Sequence, residues 1–304
     1  MSKISGWWHK RRDDAADAAR RAPTIPLGFR TDPLQETIPE AAQETLEIEE
    51  AFPAHIRTLS VQIQPSAPIF PFNDDQRRAS EQYRMLRTKI SQHFKQPRLI
   101  VISSSESGDG KSVTAINTAG ALALKSGERV LLLDGDLRKS AIHSRLGLPE
   151  FSGLADVLAG VATLQMALVK TLELPNLYVL SAGSPAENPA ELLDNPRWTA
   201  LCARLRGLFR YVIIDSPPVG AVADYELIQS VCDGVILVAR PDFTNRHLFQ
   251  SALDFVPKAK FLGVVLNCVP EWAPGSRKVP NYYYYSGAKV YAGNRTAKPP
   301  EPEV

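Results

Sequence analysis

The chain lacks any long hydrophobic run. The longest apolar stretches, such as "GVILVA" at 234–239, fall far short of the ~20 residues that a membrane-spanning helix needs. The opening "MSKISGWWHKRRDDAADAARR" has basic residues but no apolar stretch after them, so it does not read as a secretory signal. Cysteine is scarce. Cys202, Cys232 and Cys268 are far apart, sit in apolar contexts and form no C-x-x-C pair, so they read as buried reduced thiols. The five histidines are scattered, which argues against a zinc site. No sign of charge dominates: 35 basic residues face 33 acidic ones, a net charge of +2, and nothing in the bulk charge argues for nucleic acid. Together these absences point to a cytosolic protein.

The 304 residues, 44% of them hydrophobic, are enough for one large domain with tails or for two small domains. Residues 1–74 read as a disordered, proline-rich tail, with eight prolines and few aliphatic residues. Within it, "WWHKRRDDAADAARR" is either a locally helical piece of tail or a docking site for a partner or a membrane surface. A folded domain is expected over 75–270 and a flexible, tyrosine-rich tail over 271–304. That last segment contains "NYYYYSGAKVYAG": of nine tyrosines in the chain, five lie within ten residues.

Between the tails, helix and strand patterns alternate. "NDDQRRASEQYRMLRTKISQHF" opens on capping residues and places Tyr83, Leu86, Ile90 and Phe94 on one helical face. "RLIVISS", "RVLLLD", "NLYVLSAG", "YVIID", "GVILVAR" and "FLGVVLN" read as buried strands. Helices are expected over 111–126, across 138–170, as one long element within "NPAELLDNPRWTALCARLRGLF", and within 244–257. Apolar strands alternating with helices indicate an α/β fold, a mostly parallel sheet with helices on both faces.

Three strand ends carry chemistry. "VISSSESGDGKS" joins a strand to a helix, and its Gly108, Gly110, Lys111 and Ser112 match the second half of the phosphate-loop pattern G-x-x-x-x-G-K-S/T. Backbone N–H groups at such a helix start surround phosphate oxygens, and glycine lets the backbone approach them. Ser105 stands where the first glycine is usual. "VLLLDGDLRK" ends a strand in Asp134 and Asp136, whose i, i+2 spacing turns both carboxylates one way. "YVIID" ends in Asp215 after four apolar residues, the pattern of a carboxylate that holds Mg²⁺ directly or through water. In a parallel sheet these ends share one edge, the edge where ligands bind, so together they call for a Mg-nucleotide.

These residues resemble the bacterial tyrosine kinase (BY-kinase) family, the cytoplasmic autokinases of capsule and exopolysaccharide synthesis, over roughly residues 78–291. "SSSESGDGKS" is similar to the family's Walker A, "LLLDGDLRK" to its Walker A′ and "VIIDSPPV" to its Walker B; "GSPAENPAELL" resembles a further signature. "EQYRMLR", with Glu81, Arg84 and Arg87, resembles the E-x-x-R-x-x-R motif of ring assembly, and the tyrosines resemble the autophosphorylation cluster. Partitioning and septum-positioning ATPases share the fold but carry a second lysine where Glu106 stands.

The resemblance implies a P-loop NTPase of the deviant Walker A type that phosphorylates tyrosine. It implies ATP bound by Ser107, Gly108, Asp109, Gly110, Lys111, Ser112 and Val113, with Asn267 toward adenine. Mg²⁺ falls to Ser112, Asp136 and Asp215. The catalytic set is Lys111, Asp134, Asp136 and Asp215, with Asp134 closest to the acceptor hydroxyl and Arg138 or Lys139 stabilising transferred charge. The acceptors are Tyr282, Tyr283, Tyr284, Tyr285 and Tyr291 of a neighbouring subunit, since fifteen residues beyond Asn267 span at most ~50 Å. The implied partners are a homo-oligomeric ring, other tyrosine-containing substrates, and a transmembrane chain-length-determinant activator that holds the kinase at the inner membrane. Two other readings remain: an ATPase that switches partners without touching tyrosine, and a protein that binds nucleotide only to assemble.

Overall fold

A computed structural model describes residues 52–53, 55–63, 67–69, 77–125 and 127–269. Residues 1–51, with "WWHKRR", and 270–304, with the tyrosine cluster, lie outside the described residues. Eight strands form one sheet: β1 (Arg57–Leu59), β2 (Leu99–Ser104), β3 (Val130–Asp134), β4 (Leu168–Thr171), β5 (Leu177–Leu180), β6 (Tyr211–Asp215), β7 (Gly234–Ala239) and β8 (Phe261–Leu266). Their order is β1-β4-β5-β3-β6-β2-β7-β8, and every pair is parallel except β4 with β5. Strands β2, β3, β6 and β7 are buried along their whole length, because helices cover both faces.

The strand period of two sorts the apolar side chains into two layers. Val101, Leu133, Ile214 and Leu237 point to a layer closed by α6 (Pro189–Asp194), α7 (Pro196–Leu208), α8 (Ala223–Val231) and α9 (Arg246–Phe255). Ile102, Leu132, Ile213 and Ile236 point to the other, closed by α1 (Arg77–Ser91), α2 (Lys111–Ala123) and α3 (Ile142–Arg145). Alanines and Gly120 let α2 lie close on the sheet, and twelve of its residues are buried. From β2 the chain crosses to β3 on one side and later reaches β7 on the other. The loop after β2 therefore sits where ligands bind in such sheets.

The structure departs from the sequence reading in several places. Part of the expected N-terminal tail is folded: β1 pairs with β4, Phe52 packs edge-on against Tyr178 and Phe209, and Ile69 is 1% exposed. The outer edge of β4 offers this short piece a partner that no local pattern announces. Residues 138–170 hold three short helices, α3, α4 (Leu154–Ala159) and α5 (Leu164–Ala167), and then run into β4. The long helix expected within 188–209 is α7, and a short helix, α6, precedes it. Pro196 disfavours helical backbone at Asn195, whose side chain instead caps α7 by accepting from the Arg197 N–H at 2.9 Å. Helix α8 was not anticipated. Ile90 is buried as expected, but α1 ends at Ser91 and leaves Phe94 84% exposed. Cys202 and Cys232 are buried, whereas Cys268 is exposed at the end of β8.

Candidate active site

The loop after β2 turns on two glycines in the left-handed region, Gly108 at φ 99° and Gly110 at φ 94°. A Cβ at Gly110 would lie 1.9 Å from Asn267 Nδ2, so only glycine fits there. Ser105 is not among the residues with positive φ, so the usual first glycine is not required. Asp109, unremarked as a carboxylate in the sequence, is fully buried and holds the loop together. Its Oδ1 accepts from the Thr244 hydroxyl at 2.5 Å and its Oδ2 from the Glu106 N–H at 3.2 Å. Asn267 Nδ2 donates to the Asp109 carbonyl at 3.0 Å, so this side chain braces the loop. Glu106 accepts from the Asn245 N–H at 2.9 Å, at the start of α9. The position that differs from the positioning ATPases is thus a tether between loop and helix.

Lys111 opens α2 and reaches across the sheet edge. Its Nζ lies 2.9 Å from Asp136 Oδ2 and 3.8 Å from Asp215 Oδ1. Burial works to lower its pKa, but Asp215 and Asp136 outweigh that, and the net shift is upward. Asp134 and Asp215 sit side by side in register on β3 and β6. Burial, with Asp215 beside it, pushes the Asp134 carboxyl up to about 7 against the pull of two backbone N–H groups. Burial likewise raises Asp215 to about 6, although Lys111 and Ser112 favour its ionised form. Beyond Lys111 at 3.8 Å and the pull of Ser112, neither oxygen of Asp215 has a close hydrogen-bond partner, so this buried carboxylate is poorly satisfied.

Lys111 thus lies close to Asp136 and Asp215, and Asp215 lies beside Asp134 in the sheet. The Asp134 carboxylate is fully buried and accepts from the N–H groups of Asp136 (3.2 Å), Ala141 (3.0 Å) and Ile142 (3.1 Å). It is turned into the 136–142 segment, where these three donors converge on it. Arg138 is likewise committed, bidentate to buried Asp224 at 2.8 and 3.0 Å. That pair joins the 135–139 turn to α8, a contact that no local pattern announces. On α1, Glu81 pairs with Arg84, while Arg87 donates to the Ala121 carbonyl at 3.3 Å and ties α1 to α2.

Among the described residues no three His, Cys, Asp or Glu side chains converge as a metal cage. The set present, Ser112, Asp136 and the poorly satisfied Asp215, nonetheless fits Mg²⁺. That ion takes one or two carboxylates and completes its shell with water and substrate phosphate. No described helix is long and apolar enough to cross a membrane.

Residues 95–298 match the family model "ParA: NUBPL iron-transfer P-loop NTPase". The chain is 33% identical over 198 residues to the tyrosine-protein kinase CpsD of Streptococcus agalactiae, covering 64% of this chain and 86% of that protein. It is 30% identical over 225 residues to the putative tyrosine-protein kinase CapB of Staphylococcus aureus, covering 73% and 96%. The crystal structure of the chimerical protein CapA2B2 superposes with a TM-score of 0.60 at 31% identity, over 71% of this chain and 94% of that one. The chain thus belongs to the bacterial tyrosine kinase family, on the ParA-type P-loop fold, and is a protein-tyrosine kinase.

Proposed function

We propose that the chain transfers phosphate from Mg-ATP to its own C-terminal tyrosines, in trans within a homo-oligomeric ring. The observation that carries this reading is the approach of Lys111 to Asp136 and to buried Asp215 beside a glycine-shaped phosphate loop. Phosphoryl transfer needs chiefly positioning and charge neutralisation. The loop amides and Lys111 hold the β/γ-phosphates, for which Lys111 must leave Asp136. Ser112 and Asp136, with Asp215 in the outer shell, would hold Mg²⁺, which neutralises phosphate charge. Asp134 and the Arg138–Asp224 pair position the turn that bears Asp136, and Asn267 braces the loop on the adenine side.

Strand β8 delivers the chain to this edge, and fifteen residues from Asn267 to Tyr282 span up to ~50 Å, enough for a neighbour's site. Glu81 and Arg84, on the outer side of α1, serve the contact between copies, and Arg87 anchors that helix. The activator is a transmembrane chain-length-determinant protein that brings the kinase to the inner membrane. The process served is exopolysaccharide or capsule polymerisation and export.

The test is phosphotyrosine formation by the purified chain with Mg-ATP and an activator fragment. Lys111→Met should reduce the signal by at least ~100-fold, as loss of a transition-state charge partner does. Tyr→Phe at 282, 283, 284, 285 and 291 should abolish self-labelling. Signal that survives those changes moves the acceptor elsewhere, and no signal in the intact chain defeats the reading.

A further inference from the structure

The opposite edge of the sheet collects cations that the kinase chemistry does not use. Arg98, Arg129, Arg210 and Lys260 immediately precede β2, β3, β6 and β8. Strands β3, β6 and β2 are neighbours. Arg210 N donates to Arg129 O at 2.9 Å and Val212 N to Arg98 O at 2.8 Å, which sets the three arginines side by side. Part of the reason is local, because helices end here and their last carbonyls attract cations. Arg98 donates to the Arg206 carbonyl at 3.1 Å, Arg129 to Leu208 at 3.0 Å, and Lys260 to Gln229 and Ser230 at 2.7 and 2.8 Å.

Those bonds satisfy carbonyls but leave the charge in place. Two of the acids nearby are taken by other cations: Arg206 holds Asp233 at 2.6 Å, and Lys125 holds Glu128 at 2.9 Å. A guanidinium has five N–H donors, so Arg98 and Arg129 keep donors to spare. The connections at this edge also expose apolar side chains beside lysines. Phe94 is 84% exposed with Lys95 Nζ 5.5 Å from its ring, and exposed Leu124 precedes Lys125. Exposed Lys258 lies in the turn from α9 to β8. Charge alone would suit any polyanion, but apolar tips set among cations suit the boundary between lipid headgroups and acyl chains.

We propose that this edge docks on an anionic lipid bilayer, with Arg98, Arg129, Arg210 and Lys258 at the headgroup phosphates and Phe94 and Leu124 in the acyl boundary. The phosphate loop, at the other end of the strands, then faces away from the bilayer. This contact needs no activator and does not depend on which tyrosines are phosphorylated.

The test is co-sedimentation of the full chain, alone, with phosphatidylcholine vesicles that contain or lack phosphatidylglycerol. Binding should require phosphatidylglycerol and weaken as salt rises. A cation near such a surface changes partitioning by about fivefold. With two apolar anchors also lost, Phe94→Ser/Leu124→Ser/Lys258→Glu should bind at least ~30-fold more weakly. These side chains are exposed, so the variant should melt as the parent does. Arg98→Gln/Arg129→Gln, checked by the same melt, should also lose binding. Equal binding to both vesicle types, no binding, or full binding by both variants overturns the proposal. Parent binding to heparin but not to vesicles, lost in the variants, also overturns it and makes the edge a site for an acidic macromolecule.

Discussion

Asp215 is fully buried with no close hydrogen bond, and burial raises its pKa to about 6 despite Lys111 and Ser112, so it opposes folding when nucleotide is absent. A carboxyl whose folded pKa lies above its unfolded value, here 3.8, binds its proton more tightly in the folded state. Its contribution is most favourable below that unfolded value and is lost as pH rises toward 6. Asp134 extends the same trend to about 7. The nucleotide-free protein should therefore lose stability from about pH 4 to pH 7 through these two groups, opposing the ordinary gain from its ion-paired acids. Asp215→Asn should raise the melting temperature at pH 8 by about 2–4 °C per kcal/mol relieved, and leave it nearly unchanged at pH 4. The same change should remove most kinase activity. A melting temperature lowered at pH 8 would contradict this account of Asp215.

At the scale of elements, the phosphate loop is shaped by neighbours distant in sequence. Thr244 meets Asp109 from the β7–α9 connection, Asn245 meets Glu106, and Asn267 comes from the end of β8. Thr244→Val keeps the shape but leaves Asp109 Oδ1 without its hydroxyl. Hydrogen bonds to charged groups contribute ~1.5–3 kcal/mol. The KM for ATP should rise about tenfold with a smaller change in kcat, as steady-state kinetics would show. Strand β1 and the segment after it make a second element-scale case. Ile69 is almost wholly buried, and Ile69→Ala should cost ~2–4 kcal/mol in chemical denaturation, a loss that a detached tail would not show.

For the whole molecule, the kinase reading couples chemistry to assembly. Each phosphate adds about −1.5 to −2 charge, so five add roughly −8 to −10 to a chain of net charge +2. Screening beyond ~8 Å confines the effect to close contacts between copies and to the fit of a tail in an acidic site. Phosphorylated protein should therefore elute as a smaller species than unphosphorylated protein in size measurements with Mg-nucleotide. An unchanged size after full phosphorylation would sever that coupling.

Local pattern determined much of this protein. Continuous apolar strands forecast a doubly covered parallel sheet, and the residues proposed for nucleotide stood out because they gather at element ends: Asp134 and Asp215 close β3 and β6, and Lys111 opens α2. Tertiary structure decided the rest: that Phe52 and Ile69 belong to the fold, that Asp134 faces Ala141 and Ile142, and that Arg138 is held by Asp224. It also set Arg98, Arg129 and Arg210 in one row. These depend on contacts between residues far apart in the chain. Hydrophobic periodicity fixes which face of an element is buried, and only the packed sheet fixes which charged group meets which.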